Sequence, residues 1–108
     1  MDMQQDYDEP QLMEAAAIFH ALADPARLRT LTQLAHGASS VTRLAEASEE
    51  RIGTVSARLK VLRQARLVSR RREGQSAVYS IADDHVFQLI ANALEHAEEH
   101  QGFTSRES

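Results

Sequence analysis

The chain has 108 residues, a net charge of −4, 43 % hydrophobic and 26 % charged residues, and no cysteine. This is the balance of one small globular domain or one subunit of a larger assembly. The missing cysteines exclude disulfides, thiolate metal sites and cysteine redox sensing, while the lack of a secretory signal or a membrane-length apolar run gives the expectation of a cytoplasmic protein.

Residues 1–8 are polar and acidic and are expected to form a disordered N-terminus. Leu12, Ala16, Phe19 and Leu22 recur at helical spacing, which predicts a first helix from Glu9 to Ala23. Asp24-Pro25 then supplies an N-cap and a proline at the first helical position. The second helix carries Leu28, Leu31 and Leu34 and stops before Gly37. Ser39-Ser40 precedes a short helix from about Val41 to Ala47, with Leu44 inward. Ser48 followed by Glu49-Glu50-Arg51 marks a fourth helix, its acids suiting the N-terminal dipole. It runs to about Ala65 with Ile52, Val55, Leu59 and Leu62 on one stripe, and Gly53 in its first turns allows close backbone approach. Residues 67–71 and 77–81 read as short strands of a hairpin with Gly74 at its turn. A last helix starts at Asp83 or Asp84 and ends near His100, leaving residues 101–108 as a disordered tail. The expectation is one domain over residues 9–100, mainly α with a small β-hairpin, ordered α-α-α-α-β-β-α.

A short helix, a tight turn, a longer helix with polar residues at its start and then a hairpin is the order of a winged helix-turn-helix. Charge points the same way. Arg51, Arg58, Lys60, Arg63, Arg66, Arg70, Arg71 and Arg72, eight of the 12 basic residues, fall in one stretch without an acid. Such segregation on an acidic chain suggests a nucleic-acid face. An α-helix fits the major groove if its first turns present small polar or basic side chains to base edges. Thr54, Ser56, Ala57, Arg58 and Lys60 meet that need, opposite the apolar stripe. Arg71, Arg72 and Gln75 at the hairpin tip are placed for phosphates or a minor groove. The plainer reading, a solvated basic helix, leaves the order of elements unexplained.

Four stretches carry a family resemblance: residues 21–31 (ALADPARLRTL), 55–63 (VSARLKVLR), 66–75 (RLVSRRREGQ) and 77–81 (AVYSI). Over residues 12–100 the chain resembles the ArsR–SmtB family of metal-responsive repressors. The resemblance implies a homodimer, joined through its first and last helices, that binds double-stranded operator DNA and leaves it when an inducer binds. Many members carry a histidine where this chain has Arg58, which bears on the operator sequence. Many also sense soft metals through cysteines on the short third helix; residues 39–44 here hold neither thiol nor imidazole.

The last helix carries metal-binding residue types at both ends. With a rise of ~1.5 Å per residue, His85 and His96 stand about 16 Å apart, on one face after almost three turns. Zinc–nitrogen bonds are only ~2.0–2.1 Å long, so one helix cannot close both ends on one ion. Two copies packed antiparallel across a two-fold axis can form two symmetric sites. Each would join Asp83 and His85 of one chain to His96 and Glu99 of the other, with Asp83 in the non-helical cap position. Ala91 and Ala93 would let the helices approach, and Val86, Leu89, Ile90 and Leu94 would supply apolar burial. The spacing is similar to that of the family's zinc sensors, some of which use histidine at the last position; His100 is thus the alternative to Glu99. Two nitrogens and two oxygens suit tetrahedral Zn(II), with Co(II) as a substitute.

The expected function is a zinc-responsive repressor, with metal at the last helices altering the separation or mobility of the reading heads. The second ring nitrogen of His96 would reach the backbone near Arg66 and link site to reader. The alternative is a winged-helix regulator with a non-metal inducer or none, whose last helix serves only dimerisation. His96-Ala97-Glu98-Glu99-His100 also matches the H-x-x-E-H peptidase pattern, but the chain is too short to build a substrate cleft, and no enzyme is expected. His20 and His36 lack partners in the pattern and read as ordinary helix residues.

Overall fold

Two aspartates set the first two helices. In α1 (Glu9–Leu22), the Asp8 side chain accepts from the Gln11 N–H while the Gln11 side chain accepts from the Asp8 N–H, a reciprocal capping box. In α2 (Pro25–Ala35), Asp24 accepts from the Arg27 N–H at 2.9 Å, with Pro25 at the first helical position. The Arg27 guanidinium donates back to the carbonyls of Ala21 and His20, satisfying the open end of α1 and fixing the corner between the helices. The computed structural model describes the backbone of residues 6–107 and the side chains of residues 6–101.

The remaining elements are β1 (Ser39–Ser40), α3 (Val41–Ser48), α4 (Ile52–Gln64), β2 (Val68–Glu73), β3 (Ser76–Ile81) and α5 (Asp84–Glu107). The winged helix-turn-helix order is present: α3 and α4 are the helix pair, and β2 with β3 is the wing. The hairpin turns on Gly74 and Gln75, and Gly74 takes φ +64°, which a side chain would resist. β1 is one element the sequence does not announce. Two serines carry no strand propensity, yet Ser39 and Ser40 pair with Tyr79 and Val78 to give a three-stranded antiparallel sheet ordered β1-β3-β2. Ser40 then caps α3 by accepting from the Arg43 N–H.

The turn between α3 and α4 differs from expectation. Ser48 closes α3 rather than starting α4, its hydroxyl donating to the Leu44 carbonyl. Glu49 follows in the left-handed conformation, φ 57° and ψ 43°, which stops α3. The two acids thus form the turn, and none lies in the first turn of α4. At the other end α5 runs to Glu107, past the expected stop at His100. No proline intervenes, and Gly102 lowers helix propensity without by itself ending a helix. Residues 1–5 and Ser108, parts of the two expected disordered ends, lie outside the described residues.

The core joins α2, α3, α4, the base of the wing and the first half of α5. Leu31, Val55, Leu59 and Leu62 are fully enclosed, with Leu67, Leu44, Val86 and Ile90 around them. Ile52, expected on that stripe, is 52 % exposed. It occupies the first helical position, beyond the reach of the layer that Val55 begins. On α1, Leu12 and Phe19 turn away from the core and stay exposed, while Ala21 is buried and Ile18 and Leu22 pack against the core. The apolar spacing of α1 is real, but much of it faces outward.

Candidate nucleic-acid interface and metal half-sites

Val55, Leu59 and Leu62 anchor one side of α4 in the core, and this forces Gly53, Thr54, Ser56, Ala57 and Lys60 into solvent. An open groove of about 810 Å³ runs between this face and the wing, lined by Gly53, Ser56, Ala57, Lys60, Arg70 and Tyr79 among others. A smaller recess continues it, lined by Arg63, Arg70, Arg71, Arg72 and Ala77. The reading helix and the wing therefore share one cationic rim. Arg71 and Arg72 take part in it, and Gln75 is exposed at the wing turn. Arg71 is half engaged within its own strand, its Nε donating to Glu73 at 2.7 Å.

Arg58 is the departure. Its side chain is 9 % exposed, and its guanidinium forms a two-pronged pair with Glu50, 2.9 Å from Oε1 and 2.6 Å from Oε2. The same Nη1 donates to Oγ1 of Thr30 at 3.0 Å, and Thr30 is wholly buried on α2. Arg58 is thus an internal brace between α2, the helix-turn-helix turn and α4, and its charge is consumed there rather than offered to base edges. Its position on the helix, flanking Leu59, turns it toward the core side. The Arg58 hydrogen bonds hold the Glu50 carboxyl down at about 2, against an ordinary 4.5, with Ser48 adding to the effect. Glu50 in turn raises Arg58 above the usual guanidinium range, against the opposing cost of burial. Arg63 and Arg70, which the helix-start and wing-tip patterns do not single out, also stand in the groove. Arg70 lies two residues before Arg72 on one strand face, and that period of two is the sequence signal that points to it.

Asp83 caps α5, its Oδ1 accepting from the Val86 N–H at 2.9 Å, and its backbone is not yet helical. The cap brings it beside His85, with Nδ1 4.0 Å from Asp83 Oδ1. Both side chains are exposed, so the pair presents a nitrogen and an oxygen donor to solvent. Tetrahedral bonds of ~2.0–2.2 Å to a shared ion would set the two donors about 3.4 Å apart, so these exposed side chains, 4.0 Å apart, would close by about half an ångström to share one. His96 and Glu99 lie about eleven residues further along α5, exposed and one turn apart, with His100 beside Glu99. One chain therefore holds the two halves at opposite ends of one helix. Among the described residues of a single chain, no three histidine, aspartate or glutamate side chains come together as a metal cluster. Val86 and Ile90, expected to face a second α5, are buried in the chain's own core, whereas Phe87 and Leu94 are exposed. A recess of about 300 Å³ is lined by Asp83, His85 and Leu89 together with Glu14, Ala65 and Arg66, so the end of α4 borders the first half-site.

This fold, a basic reading helix beside a basic wing, is that of a winged-helix transcription regulator. The chain is 44 % identical over 100 residues to the HTH-type transcriptional regulator NmtR of Mycobacterium tuberculosis, covering 92 % of this chain and 83 % of that one. It is 42 % identical over 89 residues to a transcriptional repressor SmtB homologue of Synechocystis, covering 82 % and 67 %. Among solved structures, the homodimeric winged helix-turn-helix DNA-binding domain Mb0332 of Mycobacterium bovis, described as a possible ArsR-family regulator, superposes with a TM-score of 0.83 at 37 % identity, covering 93 % of each chain. A scan against protein-family models matches none. The chain belongs to the ArsR–SmtB family of winged-helix, DNA-binding transcriptional repressors. It is a regulator and not an enzyme, and among the described residues no helix is long and apolar enough to cross a membrane.

Proposed function

We propose that this chain is a homodimeric, zinc-responsive repressor, which leaves its operator when Zn(II) occupies two symmetric sites between paired α5 helices. The observation that carries the reading is the pairing of Asp83 with His85 at the start of α5, next to the end of the reading helix. Each site is completed by His96 and Glu99 of the second copy, with His100 able to replace Glu99. The absence of cysteine removes soft thiolate ligands, and two imidazoles with two carboxylates suit Zn(II), or Co(II) in its place. A bound divalent cation supplies a cross-link between the two helices. Leu12, Met13 and Phe19 on α1 with Phe87 and Leu94 on α5 leave large apolar surfaces exposed on the single chain, which supports pairing through these helices. Its place of action is the cytoplasm, where its DNA lies.

In this reading Thr54, Ser56, Ala57 and Lys60 face bases, while Arg63, Arg70, Arg71, Arg72 and Gln75 hold the backbone. Ala65 and Arg66 close the reading helix beside the half-site, so drawing a partner's His96 toward Asp83 and His85 bears on the end of α4. Coupling is reciprocal: an ion that weakens DNA binding is itself bound more weakly by the DNA complex.

Subunit mixing tests the crossed site. His85→Ala and His96→Ala homodimers each lose tight zinc binding, since each breaks both sites. A mixed dimer of the two restores one intact site and breaks the other twice. Random exchange of equal amounts makes about half of the dimers mixed, so mixing is expected to recover tight zinc binding at about a quarter of the wild-type stoichiometry. No recovery after subunit exchange would refute the crossed arrangement.

A further inference from the structure

The first turn of α4 holds two residues that the fold does not account for. Ile52 is a large apolar side chain left 52 % exposed at the leading end of the reading helix, one turn ahead of Ser56. Gly53 follows it inside the helix, where glycine is the least favourable residue but proline. An added Cβ at Gly53 would meet nothing within 4 Å, so packing does not demand the missing side chain. Its backbone is ordinary helix, so no special dihedral demands it either. Among the described residues nothing fills the space at Gly53 or covers Ile52. Gly53 lines the groove toward the wing, with Ser56, Ala57 and Lys60 beside it and a rim of arginines beyond. In the major groove the apolar feature of a base edge is the C5-methyl group of thymine.

We propose that Ile52 reads a thymine C5-methyl in each half-site, and that Gly53 is where the helix backbone closes on the neighbouring base edge. This rests on the DNA-binding reading given above and adds the base that the helix selects. The polar side chains Thr54 and Ser56 satisfy donors and acceptors around the methyl, while the arginine rim supplies attraction that is indifferent to sequence.

Deoxyuridine differs from thymidine only by this methyl. A duplex from the chain's own promoter, with each thymine of the footprint replaced singly by deoxyuridine, is titrated with wild-type dimer by fluorescence anisotropy at fixed salt. One position per half-site is expected to weaken binding about fourfold, the factor given by ~0.8 kcal/mol per buried methyl or methylene group. Ile52→Ala, which loses the contact in both half-sites, is expected to bind the unmodified duplex about sixteenfold more weakly, as wild type would bind a duplex with both positions replaced, and to be indifferent to the replacement at either position. Its salt dependence should match wild type, since every phosphate keeps its partner. Gly53→Ala is expected to melt at a higher temperature, as alanine favours helix, yet to bind the duplex at least fourfold more weakly. An equal deoxyuridine penalty in wild type and Ile52→Ala, or no penalty at any thymine, overturns the methyl reading. Undiminished DNA binding by Gly53→Ala overturns the close approach. If wild type fails to bind the promoter duplex while remaining a folded dimer, the DNA reading itself falls and this inference with it.

Discussion

Arg58 ties three segments with one guanidinium: the turn through Glu50, the buried hydroxyl of Thr30 on α2, and its own helix α4. A planar fork can serve two carboxylate oxygens and a hydroxyl at once, which an ammonium on a flexible stem cannot reproduce. Both Arg58→Ala and Arg58→Lys are therefore expected to lower the melting temperature by several degrees, with lysine a poor rescue. Glu50 adds a pH dependence with a definite sign. Its carboxyl titrates at about 2 in the fold against an ordinary 4.5, so the unfolded chain takes up its proton first as pH falls. The contribution of the pair is whole above about pH 4.5 and is lost as pH falls through about 2. Urea midpoints of wild type and Glu50→Gln should differ most above pH 4.5 and converge toward pH 2. A constant gap across that range would show that the ionised pair is not what Glu50 provides. Arg58 is also the residue at which sequence and structure differ most. Its charge and position on α4 fit base contact as well as a brace, and only the placement of Glu50, eight residues earlier in a left-handed turn, decides between them.

At the scale of elements, what is legible in the sequence and what is not divides on physical lines. Helices α2 and α4 follow from strong local signals: Asp24-Pro25 at one start, and Val55, Leu59 and Leu62 at helical spacing on the other. The wing follows from two β-rich runs around Gly74. β1 is hidden because Ser39 and Ser40 are held in the sheet by Tyr79 and Val78, partners nearly forty residues away. The start of α4 is displaced from its expected place because Glu49 adopts a left-handed conformation that its residue type does not advertise. For the candidate metal site, the Asp83 cap and its neighbour His85 are readable from spacing, since both belong to one helix end. In the proposed site the remaining ligands, His96 and Glu99, would come from a second copy of the chain, which spacing within one helix does not display. On the wing, Arg70 and Arg72 fall on one strand face by the strand period of two, Arg70 lining the groove and Arg72 its smaller recess, whereas Arg71, which also lines that recess, is drawn to Glu73. Arg70→Ala or Arg72→Ala should weaken binding to any duplex and lower the magnitude of the log-affinity versus log-salt slope by about 0.9 for each phosphate left without its cation. Arg71→Ala should change it less. Slopes unchanged from wild type in all three would place the wing off the DNA backbone.

The described residues span 47 × 45 × 20 Å, a flat body. Its small core leaves Phe19 on α1 60 % exposed and Leu94 on α5 41 % exposed, although both are large and apolar. A chain that buries little on its own gains from a partner, and a two-fold pair would place two reading helices for two half-sites. Phe19→Glu or Leu94→Glu is therefore expected to shift the protein from dimer to monomer in sedimentation equilibrium, and to reduce operator binding at least tenfold while the core remains folded. A dimer unchanged by both substitutions would move the interface elsewhere on the surface.

In the proposed function, control of the grip of α4 on DNA lies with metal at the ends of α5. It is tested most directly by fluorescence anisotropy of the protein on its own promoter duplex, with saturating Zn(II) and then with excess chelator, in wild type and His96→Ala at one ionic strength. Zinc is expected to weaken wild-type binding about tenfold or more and chelator to restore it, while His96→Ala is expected to bind as tightly as metal-free wild type whether zinc is present or not. Equal wild-type affinity with and without zinc would contradict it, and would leave a winged-helix DNA binder whose last helix serves only to join two chains.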